Sequence, residues 1–381
     1  MVGKRIAFIA NTAWSMYNFR LGLMKLLVQQ GAQIYVIAPY DQYADRFSAF
    51  SIQYVCLSRL QAQGKNPVSD YLLYRELKLA LKEIEPDMVF TYTIKPNIYG
   101  VLAATALGIP SVAIVTGLGH GFSKGGWITE IIKILYRHAI KHTVSTWFLN
   151  DEDFNFFVKE RLVAAENALV LRGEGVDVAY FKRRTLYPEG APVKFLYIGR
   201  LLYEKGVEDF VHAVRLLREQ GVDVIGELLG FTDVANPSAV SRETVDSWIG
   251  QGWIQYLGAT DDVRTYLENT HCLVFPSYYS EGVPRCLMEG ASMEVPAITT
   301  NHTGCKEVVD DGETGFLCEP RNVHSLHKKM IKFIQASHEE RIKMGRQARE
   351  KVEREFSEER VFHVYLAQIH RIFKPEQSIA I

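Results

Sequence analysis

Short apolar runs alternate with stretches of helical periodicity along the chain. In the first half these runs are four to six residues long and rich in β-branched and aromatic residues, as buried strands are. They are Ile6–Ala10, Gln33–Ala38, Gln53–Leu57, Met88–Thr91, Ser111–Val115 and Val144–Leu149. Helical spacing separates them, as over Leu21–Gln30, Leu72–Ile84 and Ile128–His142. The alternation predicts a parallel sheet with helices on both faces.

The same pattern stops near Asp177 and resumes near Val193. Residues 182–192 are charged and then rich in proline and glycine, so we predict an exposed connector there. The strand candidates beyond it are Lys194–Ile198, Val222–Leu229, Ile254–Leu257, Cys272–Phe275 and Ala297–Thr299. No strand follows the last helical stretch, Glu358–Phe373. The chain, with 381 residues, therefore contains two successive α/β domains.

Composition and charge exclude several classes of protein. The formal net charge of -1 gives the chain no general attraction to nucleic acid. No apolar run is long enough to cross a bilayer, and we expect no signal peptide before the first strand. Five widely spaced cysteines without Cys-x-x-Cys spacing indicate free thiols in a reducing compartment. We therefore expect a cytoplasmic protein.

Candidate chemistry lies first in the loop after the strand Lys194–Ile198. Ligands of open parallel sheets bind beyond the carboxyl ends of strands. Gly199 ends this strand, and Arg200 and Lys205 follow just before an amphipathic helix. Fixed positive charge beside a helix N-terminus suits a diphosphate. The alternative interpretation is a pair of solvated surface cations.

A second loop with candidate ligands follows the strand Cys272–Phe275. Gly282, Val283 and Pro284 lead into a helix, where Pro284 suits an early helical position and nearby amides can meet an anion. Two carboxylates flank this point and suit sugar and ribose hydroxyls; they are Glu281 and Glu289. In a third loop, residues 301–307, small residues allow the backbone to approach a ligand closely.

Together these loops resemble the retaining family 4 glycosyltransferases of the GT-B fold, over essentially the whole chain. The family's Glu-x7-Glu signature is present as Glu281 and Glu289. Its other elements are the Gly-Arg…Lys-Gly loop of Gly199, Arg200, Lys205 and Gly206, the junction residues Gly175, Val176, Asp177 and Phe181, and the turn Asp311–Leu317. The resemblance implies two facing Rossmann-like domains, residues 1–181 with 357–381 on the acceptor side and residues 182–356 on the donor side. It also implies that Phe356–Phe373 packs against the first half of the chain.

The resemblance further implies individual roles. Arg200 and Lys205 would hold the donor diphosphate, Glu289 the ribose, and Glu281 the donor sugar beside Gly282, Val283 and Pro284. These cations and amides would replace a divalent metal at the leaving group, so we expect no metal and no other cofactor besides the nucleotide sugar. No Asp-x-Asp motif contradicts this.

The N-terminal half narrows the resemblance to the subgroup that builds capsule, O-antigen or bacterial N-glycan precursors on undecaprenyl diphosphate. The matching segments are residues 15–20, 93–97 and 116–119. They supply the acceptor-side candidates Asn18, Arg20, Lys95, Asn97, Thr116 and Gly117. The implied partners are a UDP-sugar, with N-acetylgalactosamine as the preferred donor sugar, and a lipid-linked saccharide.

Two further features keep alternative interpretations. His120 matches the region where some relatives place a histidine near the sugar, or it is a loop residue without contact. Residues 127–142 carry a basic row at Lys133, Arg137 and Lys141 beside an apolar one at Ile128, Ile131, Leu135 and Ala139. Such a helix either rests on the inner face of the membrane or has an ordinary solvated edge.

Two other functions remain open from the sequence. A nucleotide-sugar epimerase of the same fold would bind the same donor, and an inactive binding module would retain its donor residues. Product analysis with the donor alone separates an epimerase from a transferase. A Rossmann oxidoreductase lacks support because no Gly-x-Gly-x-x-Gly follows a predicted strand.

Overall fold

The computed structural model describes residues 1–60, 66–118, 122, 126–185, 189, 192–232, 236–279 and 282–373. The chain forms two compact units. Unit 1 comprises Met1–Glu174 and the chain from Val361 onward, and unit 2 comprises Gly175–Arg360. The chain thus enters unit 2 earlier than position 182, where we expected the second domain to begin, and leaves it slightly later than position 357.

Unit 1 is built on a seven-stranded parallel sheet with the strand order β3-β2-β1-β4-β5-β6-β7. Its strands are β1 Arg5–Ile9, β2 Gln33–Ala38, β3 Ile52–Cys56, β4 Met88–Tyr92, β5 Ser111–Val115, β6 Ser145–Phe148 and β7 Ala168–Val170. The six strands predicted from apolar runs are confirmed to within one residue at every end. The seventh, β7, was missed because it has three half-buried residues at the sheet edge and no apolar run to mark it.

Helices cover this sheet on both faces. They are α1 Ala13–Gln29, α2 Pro67–Ile84, a π-helical turn Pro96–Gly100, α3 Val101–Thr105, α4 Trp127–Ile140 and α5 Asp151–Lys159, with 3-10 turns at Ala44–Phe50 and Ala165–Asn167. Local chemistry fixes their starts: the side chain of Thr12 caps α1 and that of Asn66 caps α2. Leucines at helical spacing then hold α2 to the sheet through Leu73, Leu77 and Leu81.

Unit 2 repeats the architecture with a six-stranded sheet in the order β10-β9-β8-β11-β12-β13. Its strands are parallel and comprise β8 Val193–Ile198, β9 Val224–Leu229, β10 Gln255–Tyr256, β11 Cys272–Phe275, β12 Ala297–Thr300 and β13 Gly315–Cys318. Its helices are α6 Val207–Glu219, α7 Arg242–Gly250, α8 Arg264–Glu268, α9 Arg285–Ser292, α10 Cys305–Val308, α11 Val323–Gln335 and α12 His338–Glu355, with a 3-10 turn at Tyr203–Lys205.

The segment Asp311–Leu317 is only partly the turn that we predicted. It turns at Gly312, whose φ is +87°, and then becomes the strand β13. Gly315 allows this strand to pair with β12, because a Cβ there would lie 2.0 Å from the carbonyl oxygen of Ala297. Gly315, which we predicted to be a turn residue, is therefore a strand residue at a point where the backbones of β13 and β12 lie close together.

The exposed connector predicted at residues 182–192 is wrong for Arg183, whereas Lys182, Arg184 and Thr185 are exposed as predicted. Arg183 is buried, and its guanidinium donates to the carbonyl oxygens of Leu267, Glu268 and Thr270 at 2.8–3.2 Å. Those carbonyls lie at the C-terminal end of α8, where a helix favours a positive charge. The second residue of the basic run, Arg183, is therefore a buried helix cap of unit 2.

The last helix, α13 Glu358–Phe373, packs on unit 1 as predicted. Its buried residues Val361, Tyr365 and Ile369 join the hydrophobic core of α1 and the sheet. The hydroxyls of Tyr365 and Tyr92 lie 2.9 Å apart at its centre. Among the described residues, the helices are all too short or too polar to span a bilayer.

Candidate functional site

The carboxyl ends of β8 and β11, neighbouring strands of unit 2, place the predicted donor loops side by side. Gly199 and Arg200 follow β8, and Arg200 is exposed. A 3-10 turn then brings Lys205 back, so that its ammonium lies 5.4 Å from the centre of the Phe275 ring at the end of β11. The two strand ends therefore present both predicted cations at one edge of the sheet.

Several hydrogen bonds join these loops. The Tyr197 hydroxyl lies 3.2 Å from the Arg200 carbonyl and 3.4 Å from that of Lys205, so its proton is shared within the cationic loop. The Tyr278 amide, beyond β11, donates to the Glu204 carbonyl at 3.0 Å. Since these contacts use backbone atoms, the loops are fixed whatever ligand they meet.

Glycines make this close approach possible. Gly206 has φ +72°, and a Cβ there would lie 2.2 Å from the carbonyl oxygen of Pro276. Gly230, directly after β9, is tighter still, because a Cβ would lie 1.8 Å from the carbonyl oxygen of Gly199. Sequence reasoning missed Gly230, although a glycine immediately after a predicted strand was the available signal.

The helix that follows the cationic loop is less favourable to an anion than we expected. Gly206 caps α6, but its first turn carries Glu208 and Asp209. Burial, followed by the neighbouring Glu208, raises the pKa of Asp209. The positive charge at this edge therefore comes from Arg200 and Lys205 more than from the helix end.

The loop after β11 buries its predicted ligands at the start of α9. Gly282, Val283 and Pro284 are buried, and Pro284 is the residue that caps the helix. Glu281 lies outside the described residues. Threonine hydroxyls tie this loop to β12: Thr299 donates to the Phe275 carbonyl at 2.6 Å and Thr300 to that of Ser277.

Glu289 lies one helical turn after Arg285, and the two form an ion pair with Nε–Oε1 at 2.6 Å. Burial raises the pKa of the Glu289 carboxyl, although the Arg285 charge opposes this. Sequence reasoning missed Arg285; its spacing of four residues before a glutamate was the available signal. The pair orients the Glu289 carboxylate, which keeps acceptor capacity for hydroxyl donors.

The acceptor-side candidates of unit 1 follow strands β4 and β5 or lie on α1 after β1, so the topology brings them to one edge of the sheet. Thr116 and Gly117 follow β5 and are half-buried. Lys95, after β4, pairs with Asp70 at 2.7 Å, and Tyr99 donates to the same carboxylate at 2.9 Å. Asn18 donates to the Trp14 carbonyl at 2.9 Å. His120 lies outside the described residues.

Two of these candidates are too buried to touch an acceptor directly, which corrects our expectation. Asn97 is 0% exposed. The Thr91 hydroxyl donates to the side-chain oxygen of Asn97, and the side-chain nitrogen of Asn97 donates to the Ile114 carbonyl at 2.9 Å. It therefore holds the π-helical turn against β4 and β5.

Arg20 is the second correction. It is 5% exposed, pairs with Glu174 and stacks over the Tyr92 ring at 3.9 Å. The polar pattern of α1 could not distinguish a buried arginine from a ligand-binding one, because its acceptor, Glu174, is distant in sequence.

Comparison with known proteins identifies the family. The model of "Glycosyl transferases group 1" matches residues 181–351, and that of "Glycosyl transferase 4-like" matches residues 5–146. The chain belongs to the family 4-like glycosyltransferases. The GT-B fold expected from the resemblance is confirmed. Both family models and the names of the relatives support transferase activity for this chain.

Relatives with specific activities cover most of the chain. The N,N'-diacetylbacillosaminyl-diphospho-undecaprenol alpha-1,3-N-acetylgalactosaminyltransferase of Campylobacter jejuni is 27% identical over 86% of this chain and 88% of its own. The UDP-Gal:alpha-D-GlcNAc-diphosphoundecaprenol alpha-1,3-galactosyltransferase of Escherichia coli is 26% identical over 77% of this chain and 76% of its own. Anabaena HepE, solved with UDP-glucose, is 14% identical and superposes with a TM-score of 0.78 over 96% of this chain and 99% of that one.

Proposed function

We propose that this glycosyltransferase moves a hexose or N-acetylhexosamine from a UDP-sugar to a saccharide on undecaprenyl diphosphate. N-Acetylgalactosamine is the first donor sugar to test, because the Campylobacter relative is named for its transfer. Both relatives described above are named for acceptors on diphosphoundecaprenol. The product would extend a surface polysaccharide or glycan precursor.

The joined loops of unit 2 are the observation that carries the donor half of the proposal. Arg200 and Lys205 lie in one loop, whose backbone is tied to Tyr197 of β8 and to the loop after β11, so their charges are in place before the sugar departs. Fixed charge at a leaving diphosphate stabilises the transition state without reorganisation. Glu289, oriented by Arg285, would accept the ribose hydroxyls.

Transfer in this proposal retains the anomeric configuration and needs no divalent metal. The leaving diphosphate would itself take the acceptor proton, while Arg200 and Lys205 supply the charge that a metal gives in other transferases. The roles of Glu281 beside the donor sugar and of His120 in the reaction are part of the same proposal.

On the acceptor side, Asn18, Thr116 and Gly117 are half-buried at the sheet edge and are the residues that we expect to contact the acceptor. Lys95 would act with Asp70, as a pair, rather than as an isolated cation. A lipid-linked acceptor brings the protein to the inner face of the cytoplasmic membrane, and we place residues 127–142 at that surface.

A screen of nucleotide sugars against lipid-linked acceptors tests the proposal, with the products identified by mass spectrometry. We expect a UDP-sugar to be consumed and one hexose or N-acetylhexosamine to be added to an undecaprenyl-diphosphate saccharide. Transfer only to soluble acceptors would overturn the acceptor half. In the same assay, activity lost in excess EDTA and restored by magnesium or manganese would overturn the metal-independent mechanism.

A further inference from the structure

Exposed apolar side chains are concentrated on two helices of unit 1. Among the described residues, 13 large apolar side chains are exposed, three of them on α2 and three on α4. Those on α2 are Val68, Tyr71 and Leu79, and those on α4 are Trp127, Ile131 and Ile134. Tyr71 is 59% exposed, Leu79 62%, Ile134 60% and Trp127 74%. Such a concentration on one part of a surface indicates a partner.

The two helices belong to one layer. The segment formed by the π-helical turn and α3 packs between α2 and α4 on the same face of the sheet. Both helices start at the carboxyl edge of that sheet: the first turn of α2 holds Asp70 against Lys95, which follows β4, and α4 ends shortly before β6 begins. The acceptor-side residues lie at this same edge.

Each helix presents one row of exposed residues with the same spacing. On α2 the row is Val68, Tyr71, Arg75, Leu79 and Lys82. On α4 it is Trp127, Ile131, Ile134 and His138, and it continues to Lys141, directly after the helix ends. Steps of three and four residues keep each row on one side of its helix. In both rows the apolar residues begin at the carboxyl edge and a basic residue ends the row.

The observed row on α4 differs from the one expected from the sequence. Ala139 is buried, and Lys133 is bound by Glu130 and Glu160, so neither contributes to an outer face. Arg137 stays exposed while donating to two carbonyls of the neighbouring helix end. The exposed carboxylates beside the rows are Glu83 on α2, Glu85 directly after α2 and Glu130 on α4. Glu85 pairs with Arg5, and Glu130 pairs with Lys133.

We propose that α2 and α4 together form a docking face for an anionic bilayer surface. Apolar side chains would enter the headgroup boundary, and Arg75, Lys82, Arg137 and Lys141 would meet anionic headgroups. A second copy of the chain fits this face less well, since a symmetric contact would bring together two faces that both carry these basic residues. The inference rests on the proposed function in one respect: docking would bring a lipid-linked acceptor to the carboxyl edge of the sheet, where both rows begin.

Vesicle binding tests the face without any sugar substrate. We would measure flotation of the full chain with phosphatidylcholine vesicles, with and without phosphatidylglycerol. The variants are Tyr71→Ser with Leu79→Ser on α2, and Trp127→Ser with Ile134→Ser on α4. Ile249→Ser, an exposed apolar residue on α7 of unit 2, is the matched control. Thermal melting and UDP binding check that each variant is folded.

We expect the wild-type protein to float with anionic vesicles and to be released by salt. Each double variant should bind them about tenfold more weakly, because two apolar side chains lose their interfacial burial, and the control should bind normally. Wild-type affinity of the α2 double variant would overturn the two-helix face. So would absence of wild-type binding, or a concentration-dependent dimer that these substitutions dissolve. Since binding is scored without transfer, a wrong donor or acceptor leaves this result unaffected.

Discussion

The contact between Gly206 and Pro276 gives a sharp test of how the donor loops are held. Gly206→Ala adds one methyl group at a φ of +72°, where it would meet the Pro276 carbonyl oxygen at 2.2 Å. Gly221→Ala is a matched control, because Gly221 has a φ of +76° and open space around its missing Cβ. Both substitutions carry the same backbone strain, and only the first adds a collision.

The size of each effect follows from these geometries. A left-handed backbone costs a residue with a side chain about 1–2 kcal/mol, which is the expected loss for Gly221→Ala. In Gly206→Ala the two loops must also separate by roughly 1 Å, since real Cβ atoms stay beyond about 3 Å from such atoms. Overpacking of this kind adds about 1–3 kcal/mol. Because Lys205 immediately precedes Gly206, the displacement should weaken UDP binding by tenfold or more, as misplaced site residues do.

Urea unfolding of both variants and calorimetric titration with UDP measure these quantities. Trp248 and Trp253 lie in unit 2 and report its unfolding by fluorescence. We expect Gly206→Ala to be the less stable variant and the only one with weakened UDP binding. Equal stability of the two variants with equal UDP affinity would show that the loops do not depend on this contact.

Three further predictions concern single side chains. Lys205→Ala should slow transfer about a hundredfold, because a fixed charge at the leaving group is lost; near-normal turnover in a radiolabel assay would remove Lys205 from the site. Arg183→Met should lower the free energy of unfolding of unit 2 by about 2–4 kcal/mol, because buried carbonyls lose their donor, and a melting curve like that of the wild type would contradict this. Burial raises the pKa of Asp153 from 3.8 to about 7, so folded unit 1 keeps a proton that the unfolded chain releases. The stability of unit 1 should therefore fall as the pH rises from about 4 to about 7, and Asp153→Asn should remove this slope in melting experiments across that range; an unchanged slope would place the effect elsewhere.

The sequence predicted the sheets well because buried parallel strands have a local signature. Runs such as Gln33–Ala38 and Cys272–Phe275 coincide with the observed strands, since continuous apolar runs mark strands covered on both faces. The strands that were missed lack that signature. β7 is a short half-buried edge strand, and β13 begins with Gly315 in a segment rich in turn residues.

The candidate site was predictable to the extent that its residues lie in loops after recognisable strands. Arg200 and Lys205 were located this way, and the parallel topology then brings their loop beside the one after β11. Partners distant in sequence were not predictable. The residues near Arg20 do not indicate its ion pair with Glu174, and those near Arg183 do not indicate its hydrogen bonds to the end of α8. The sequence around a charged residue does not show whether a ligand or a remote segment of the chain neutralises its charge.

This ambiguity also explains why exposed apolar residues give more information about partners of this protein than charged residues do. Arg20, Arg183 and Lys133 each have partners for their charge within their own unit, so that charge carries little information about ligands. A concentration of exposed apolar side chains on two helices has no such internal explanation, because leaving them in water gains nothing for the fold. Among the described residues, the apolar rows of α2 and α4 are thus the largest concentration of side chains in unit 1 for which folding alone does not account. If the wild-type protein bound neither vesicles nor a second copy, that reasoning would fail even if the transfer reaction were confirmed.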